Sequence, residues 1–241
     1  MKWSSFAHRM LGRETVIKVV HSFQRFGIVV QSPMHSLHPA RNRAVLEGEY
    51  VRASSLELVA REIYDRGVAG AVAEVGVYRG EFARLINAAF PDRPLYLFDT
   101  FGGFTDEQIQ YDIRNGHIKS DPARWDPAGR FSKTSVNLVL SRMRFQENCI
   151  IVDGTFPQSA AKCPETNFAF VSIDCDLYCP VSESIKYFYP RLSPGGYIFV
   201  HDYNNSAYGG VKKAVREYAA ESGISYFPLS DASGSAIICK P

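Results

Sequence analysis

The sequence has no apolar stretch approaching the ~20 residues of a membrane-spanning helix, and its first residues lack the pattern of a signal peptide. It also has no cluster of lysine and arginine, and its formal net charge is only +2. The five cysteines include no close CxxC pair, which favours reduced thiols over a zinc site. These absences predict a cytoplasmic protein that binds neither a membrane nor a nucleic acid, so we expect a small-molecule partner.

Apolar residues make up 46% of the chain, which is enough for one sizeable core. A length of 241 residues suits a single α/β domain with some additions. Residues 1–48 mix aromatic, histidine and arginine side chains, which predicts an N-terminal arm that caps the domain or meets a second subunit. We therefore expect a homodimer, with residues 49–241 forming the domain itself.

Helical and strand-like segments alternate from residue 54 onwards, as in a doubly wound α/β domain. The spacing of apolar residues predicts helices over 54–64, 82–90, 135–145, 181–189 and 211–220. Short apolar runs predict parallel strands over 71–76, 95–99, 149–152, 168–173 and 197–200. Two last segments, 224–227 and 236–239, predict a terminal antiparallel hairpin. The expected fold is a mostly parallel, seven-stranded sheet.

Two stretches break this alternation. Residues 192–196 carry proline and glycine and predict a turn before the fifth strand. Residues 101–148 are irregular and predict a lid, because a long irregular segment inside a compact domain is usually functional. Candidates for lining a binding pocket within the lid are Tyr111, His117, Trp125, Phe131 and Asn137. Equally good candidates follow the fifth strand: Tyr203, Asn204, Asn205 and Tyr208.

Acidic residues end three of the predicted strands: Asp99, Asp174 and Asp202. Open parallel sheets bind ligands at the carboxyl ends of their strands. The first strand instead ends in a turn with Gly76 and Gly80, which lets a ligand approach the backbone closely. This turn is not a GxGxxG or P-loop motif, so phosphate binding is disfavoured. The turn together with Asp99 favours a nucleoside site, in which Asp99 accepts hydrogen bonds from ribose hydroxyls; a helix cap is the alternative role for Asp99.

Four segments resemble, in the same order, motifs of the macrocin O-methyltransferase family. They are residues 73–80 (AEVGVYRG), 98–104 (FDTFGGF), 173–178 (IDCDLY) and 192–203 (LSPGGYIFVHDY). The resemblance implies a Rossmann-like class I methyltransferase fold that uses S-adenosylmethionine. It implies that the turn after the first strand holds the methionine part, that Asp99 holds the ribose and that residues 153–156 border the adenine. The cofactor-binding residues implied in this way are Glu74, Gly76, Tyr78, Gly80, Asp99, Thr100, Phe101, Asp153, Gly154 and Asp174.

The resemblance also implies a divalent metal, usually Mg²⁺, where Asp174 meets the acids after the fifth strand. The relatives typically have two consecutive acids there, whereas this chain has His201 followed by Asp202. The metal-ligand set implied here is therefore Asp174, His201 and Asp202, of which the two carboxylates suit Mg²⁺. His201 would favour a softer metal such as manganese, iron or zinc, would act as a general base without metal, or would only form a hydrogen bond at the strand end.

The candidate catalytic residues are Asp174, His201 and Asp176, and a helix cap is the alternative role for Asp176. Together these features predict an S-adenosylmethionine-dependent O-methyltransferase that is assisted by a metal. Its expected acceptor is a small-molecule hydroxyl, on a sugar of a glycosylated natural product or of a cell-surface glycan. Two alternatives stay open at this point: an NAD-dependent oxidoreductase, which the missing GxGxxG disfavours, and a catalytically silent nucleoside-binding module, which the retained Asp174 and Asp202 disfavour.

Overall fold

The computed structural model describes residues 50–241, and the predicted N-terminal arm, residues 1–48, lies outside this range. The α-helices of the described range are α1 (Tyr50–Asp65), α2 (Ala83–Ala89), α3 (Asp106–Arg114), α4 (Val136–Ser141), α5 (Tyr178–Arg191) and α6 (Gly209–Ser222). Its strands are β1 (Ala71–Val75), β2 (Leu95–Asp99), β3 (Cys149–Asp153), β4 (Phe168–Ile173), β5 (Leu192–Val200), β6 (Tyr226–Pro228) and β7 (Ala236–Cys239). None of these helices is long and apolar enough to cross a membrane.

The seven strands form one sheet in the order β3-β2-β1-β4-β5-β7-β6. Strands β1 to β5 pair in parallel, while β7 pairs antiparallel with both β5 and β6. This topology confirms the predicted mostly parallel sheet with its C-terminal antiparallel hairpin. The direction in which strands are added reverses between β1 and β4, so a crevice opens beyond the carboxyl ends of these two strands.

Helices cover both faces of the sheet, which explains the continuous apolar runs in the sequence. Alternate residues of β2 divide between two cores: Tyr96 and Phe98 point to one, and Leu95 and Leu97 to the other. The first core also contains residues of α5 and α6, and the second contains residues of α1 and α2. Strands β1 and β4 are buried along their whole length as a result.

Several predicted boundaries differ from the structure. The predicted turn at 192–196 lies within β5, where the pairing jumps from Phe168–Leu192 to Phe170–Tyr197 and leaves residues 193–196 as a bulge. Helix α4 is shorter than predicted, since the N–H groups of Arg142 and Met143 bond to carbonyls only three residues back. Helix α5 is longer than predicted: it starts at Tyr178 and includes Pro190 in its last turn.

The region 101–148, predicted as a lid, contains more regular structure than its sequence indicated. Helix α3 begins there with a capping box, in which Thr105 and Gln108 each bond to the other's backbone N–H. Short 3₁₀ helices follow at Pro122–Arg124 and Pro127–Ser132. This region connects the carboxyl end of β2 to the start of β3, so it begins at the side of the sheet on which the crevice lies.

Candidate active site

A cleft of about 540 Å³ lies at the carboxyl ends of β1, β2, β4 and β5. Its wall contains most of the residues predicted for cofactor, metal or catalysis: Glu74, Gly76, Tyr78, Asp99, Thr100, Gly154, Asp174, Asp176, His201 and Asp202. The wall does not include the other three, Gly80, Phe101 and Asp153. The strand ends therefore bring together residues that are more than a hundred positions apart in the sequence, as the acid pattern predicted.

Gly76 lets the end of β1 lie directly against the end of β4. Its φ is +86°, and a Cβ atom at this position would lie 2.1 Å from the carbonyl oxygen of Asp174. The two strand ends are also joined by a hydrogen bond of 2.7 Å from the N–H of Asp174 to the carbonyl of Val75. Only glycine fits this position, so the turn serves the geometry of the cleft itself.

Asp99 holds the turn after β1 in place. One carboxylate oxygen accepts the backbone N–H groups of Val77 and Tyr78 at 2.7 and 2.8 Å, and the other accepts that of Phe101 at 2.7 Å. Burial raises the pKa of Asp99 above its ordinary value, against the opposing effect of these donors, of which Tyr78 is the strongest. A carboxylate has roughly four acceptor positions, so Asp99 keeps little capacity for a ligand hydroxyl beyond these contacts.

Asp174, His201 and Asp202 form a tight cluster. The Nδ1 atom of His201 lies 2.9 Å from a carboxylate oxygen of Asp174 and 2.9 Å from one of Asp202. The second oxygen of Asp202 accepts the side-chain amide of Asn205 at 2.7 Å. Asp176 lies beside the cluster with a φ of +57°, a left-handed backbone conformation that is uncommon for a residue other than glycine.

The charges in this cluster balance each other. Burial raises the pKa of Asp174, but His201 and Arg52 outweigh it and hold this pKa well below its usual range. Burial lowers the pKa of His201, but Asp174 and the hydrogen bonds to both carboxylates raise it to about 12. Burial, followed by the charges of Asp202 and Asp174, raises the pKa of Asp176 well above its usual value. At neutral pH the cluster thus contains the carboxylates of Asp174 and Asp202 and an imidazolium at His201, whereas burial disfavours the charged form of Asp176.

Glu74 and Arg52 lie deeper in the same cleft. Glu74 is 1% exposed, and burial, with the charge of Asp174, raises its pKa well above the ordinary value. Arg52 is 4% exposed and donates to Asp174 at 2.9 Å and to the hydroxyl of Ser172 at 3.1 Å. Its guanidinium lies 3.7 Å from the ring centroid of Phe82. Arg52 was not among the predicted site residues.

A pattern in the sequence could have revealed Arg52. It precedes Leu56 by one helical turn and so places a charge on the buried stripe of α1, which continues through Ala60 and Ile63. Buried arginines are rare unless they are paired. A charge on an apolar stripe therefore indicates a buried acidic partner, here Asp174.

The donor set of the cluster fits a divalent cation. Asp174, His201 and Asp202 each offer one ligand atom, and these atoms lie within 4.8 Å of one another. Two carboxylate oxygens suit a hard cation such as Mg²⁺, and the imidazole extends the choice to manganese, iron or zinc. Because an imidazole must be deprotonated to bind a metal, a cation at this position would displace the proton that His201 shares with both carboxylates.

The region 101–148 and the residues after β5 form another part of the cleft wall. Its residues include Phe104, Gln108, Arg130, Phe131, Asn205, Tyr208 and Ser233. The hydroxyl of Tyr208 donates to the carbonyl of Trp125 at 2.5 Å, which ties the two regions together. Of the predicted pocket-lining candidates, Phe131, Asn205 and Tyr208 line the cleft. The candidates that are not in its wall are Tyr111, His117, Trp125, Asn137, Tyr203 and Asn204.

The strand order and the cleft define a class I methyltransferase fold, and solved structures of that class superpose on the chain. The O-methyltransferase NovP aligns with a TM-score of 0.62 at 21% sequence identity, over 94% of this chain and 97% of its own. The calicheamicin methyltransferase CalS11 aligns with a TM-score of 0.61 at 19% identity, over 99% of this chain and 96% of its own. At these identities the likeness establishes the fold.

The sequence itself decides the family. Residues 46–237 match the model of the macrocin O-methyltransferase (TylF) family. The mycinamicin III 3''-O-methyltransferase of Micromonospora griseorubida is 31% identical over 183 residues, covering 72% of this chain and 70% of the relative. An O-methyltransferase of Streptomyces olivaceus that acts on a rhamnosyl tetracenomycin is 26% identical over 209 residues, covering 78% of this chain and 72% of the relative.

The chain belongs to the macrocin O-methyltransferase family. It is an S-adenosylmethionine-dependent O-methyltransferase, as the motifs predicted. This assignment decides against the oxidoreductase and the catalytically silent alternatives.

Proposed function

We propose that this enzyme methylates a sugar hydroxyl of a glycosylated natural product, with S-adenosylmethionine as methyl donor. The observation that carries the proposal is that one cleft contains both the glycine turn after β1 and the Asp174–His201–Asp202 cluster. The two relatives described above add support, since the name of each specifies methylation of a glycosylated natural product. A cell-surface glycan is the alternative source of the same kind of hydroxyl.

The cofactor is proposed to lie along the carboxyl ends of β1 and β2. Its methionine part would lie at Glu74, Gly76, Tyr78 and Gly80, its ribose near Asp99, Thr100 and Phe101, and its adenine near Asp153 and Gly154. Asp174 would border the reacting end of the cofactor. Gly80, Phe101 and Asp153 lie outside the wall of the cleft, so their proposed contribution is to shape the backbone that the cofactor contacts.

Methyl transfer is an in-line displacement by the acceptor oxygen at the sulfonium methyl, so positioning supplies much of the rate. Asp174, Asp176 and His201 are proposed to orient the acceptor hydroxyl, and the ionised Asp174 is proposed to receive its proton. Mg²⁺, held by Asp174, His201 and Asp202, would supply positive charge that makes this hydroxyl easier to deprotonate. His201 lies between Asp174 and Asp202 and fixes the orientation of both carboxylates.

Residues 101–148 are proposed to act as the lid over the acceptor. Phe104 and Phe131 line the cleft, and their ring centroids lie 4.8 Å apart. Aromatic faces of this kind pack well against the apolar face of a sugar ring. The hydroxyl of Tyr208 accepts a hydrogen bond from Arg130 at 3.5 Å and so links the lid to the segment after β5.

The test combines binding with turnover. Calorimetry with S-adenosylhomocysteine should show micromolar binding, and mass spectrometry should show one added methyl on a rhamnosylated natural product. Removal of divalent cations with EDTA should abolish the methylation, and Mg²⁺ should restore it. Methylation that persists in EDTA would refute the metal, and methylation of the aglycone but of no glycoside would refute the sugar acceptor.

The remaining proposals from the sequence concern the setting of the enzyme. We propose a cytoplasmic homodimer in which the arm, residues 1–48, caps the domain or contacts the second subunit. Light scattering on the full chain at micromolar concentration should give the mass of a dimer. A monomer under these conditions would refute the dimer, and recovery of the enzyme in an extracytoplasmic fraction would refute the location.

A further inference from the structure

Among the buried side-chain polar atoms that have no hydrogen-bond partner within residues 50–241, two belong to residues of the cleft wall and have opposite hydrogen-bonding roles. They are Nε of Arg52, which is a donor, and Oε2 of Glu74, which is an acceptor. Both residues line the cleft. An unpaired buried donor or acceptor destabilises a fold, so such atoms at the wall of a cleft indicate where the polar groups of a ligand belong.

The bonds already made by these side chains leave capacity for a ligand. Arg52 donates one N–H to Asp174 and one to Ser172, and a guanidinium carries more donors than these contacts use. The hydroxyl of Ser172 in turn donates to Oε1 of Glu74 at 3.4 Å. Ser172 therefore links Arg52 to Glu74, and one cation and one acid lie next to each other with their remaining hydrogen-bonding positions unfilled.

The ligand group that complements such a pair carries a carboxylate and an ammonium on neighbouring atoms. The α-amino acid end of S-adenosylmethionine is a group of this kind. We propose that Arg52 binds the α-carboxylate of the cofactor, while Glu74 accepts hydrogen bonds from its ammonium. This inference deepens the proposed function and rests on the proposed position of the cofactor in this cleft.

The surroundings of Arg52 suit this role. The ring of Phe82 supports one face of the guanidinium at 3.7 Å, and Asp174 and Ser172 fix its rotation within the plane. A guanidinium held in this way is well suited to bind a carboxylate, because little side-chain entropy is lost on binding. Arg52 and Phe82 line the same cleft as Gly76, whose turn is proposed to hold the methionine part.

A loss of activity alone would not test this proposal, because Arg52 also contacts Asp174. The decisive measurement is the ratio of two dissociation constants, measured by calorimetry on the full chain. One ligand is S-adenosylhomocysteine; the other is its decarboxylated analogue, which keeps the adenosine, the sulfur and the amine. Wild type should bind S-adenosylhomocysteine about 10- to 100-fold more tightly than the analogue, as expected for hydrogen bonds between charged groups.

Arg52→Met should bring this ratio close to one by weakening only the carboxylate-bearing ligand, and Arg52→Lys should recover part of the preference. Arg61→Met is the matched control: this arginine lies on the same helix but outside the wall of the cleft, and the ratio should stay at its wild-type value. Thermal denaturation of each variant shows whether it is folded.

Each outcome decides between the proposals. Equal weakening of both ligands in Arg52→Met would show a purely structural role and would overturn this inference. A wild-type ratio close to one would overturn it as well, even if Arg52→Met fails to fold. No binding of S-adenosylhomocysteine by wild type would instead refute the proposed cofactor site, and the inference about Arg52 with it.

Discussion

Replacing Gly76 with alanine should damage both the fold and cofactor binding. The new Cβ would lie 2.1 Å from the carbonyl oxygen of Asp174, 2.5 Å from its carbonyl carbon and 2.9 Å from the backbone nitrogen of Cys175. These are backbone atoms at the end of β4, so no side chain can rotate to relieve the overlap. The ends of β1 and β4 would have to separate, against the hydrogen bond that joins them.

The magnitude follows from comparison with Gly67, which ends α1. Its φ is +62°, similar to the +86° of Gly76, but no atom lies within 4 Å of a Cβ built there. Both substitutions lose about 1–2 kcal/mol because alanine disfavours the left-handed conformation. Only Gly76→Ala adds the cost of overpacking, about 1–3 kcal/mol or more. Its free energy of unfolding should therefore fall by roughly twice as much as that of Gly67→Ala.

Chemical denaturation of both variants gives the free energy of unfolding, and calorimetry with S-adenosylhomocysteine gives the affinity. Gly67→Ala should keep the wild-type affinity, because Gly67 is not part of the cleft wall. Gly76→Ala should lose affinity, since any shift of the turn moves the backbone N–H groups that Asp99 holds. Equal stability and equal affinity in the two variants would refute the assignment of Gly76 as the residue that allows the strand ends to approach.

Two further predictions concern the acids of the site. Asp99→Ala removes the acceptor of three backbone N–H groups and should weaken binding of S-adenosylhomocysteine by about 2–4 kcal/mol; calorimetry that finds wild-type affinity would remove Asp99 from the cofactor site. Asp174→Asn should abolish turnover in the mass-spectrometric assay, since this carboxylate is the partner of both Arg52 and His201, while circular dichroism shows a native fold. An active variant would refute both the metal-binding and the proton-accepting role of Asp174.

The strands of the parallel sheet could be predicted from the sequence because their burial leaves a simple signal. The predicted strands 71–76, 95–99 and 168–173 match β1, β2 and β4 to within one residue. The acids after these runs could be placed together, because parallel strands end at the same edge of the sheet. This rule needs no knowledge of side-chain contacts, and the three acids that it brought together, Asp99, Asp174 and Asp202, all line the cleft.

Features set by tertiary contacts could not be predicted in this way. The length of α4 depends on the chain turning toward Asn87, whose side-chain oxygen accepts the N–H of Phe145 at 2.8 Å. The bulge at 193–196 depends on pairing with Lys240 near the C-terminus, which bonds to both Gly195 and Gly196. Each of these contacts joins residues that are far apart in the sequence, so the local composition cannot predict them.

The role of Asp99 shows the same limit within the site. Its position at the end of β2 favoured ribose binding. In the structure, however, its carboxylate already accepts hydrogen bonds from backbone N–H groups of the turn after β1. The two roles are compatible if the acid holds the turn that holds the cofactor, because a fixed turn lowers the entropy lost on binding. On this argument the acids of the cleft differ in function according to their partners. Asp99 is paired with backbone N–H groups and shapes the site, whereas Asp174 is paired with the charged side chains of Arg52 and His201 and is the acid proposed to act on the substrate.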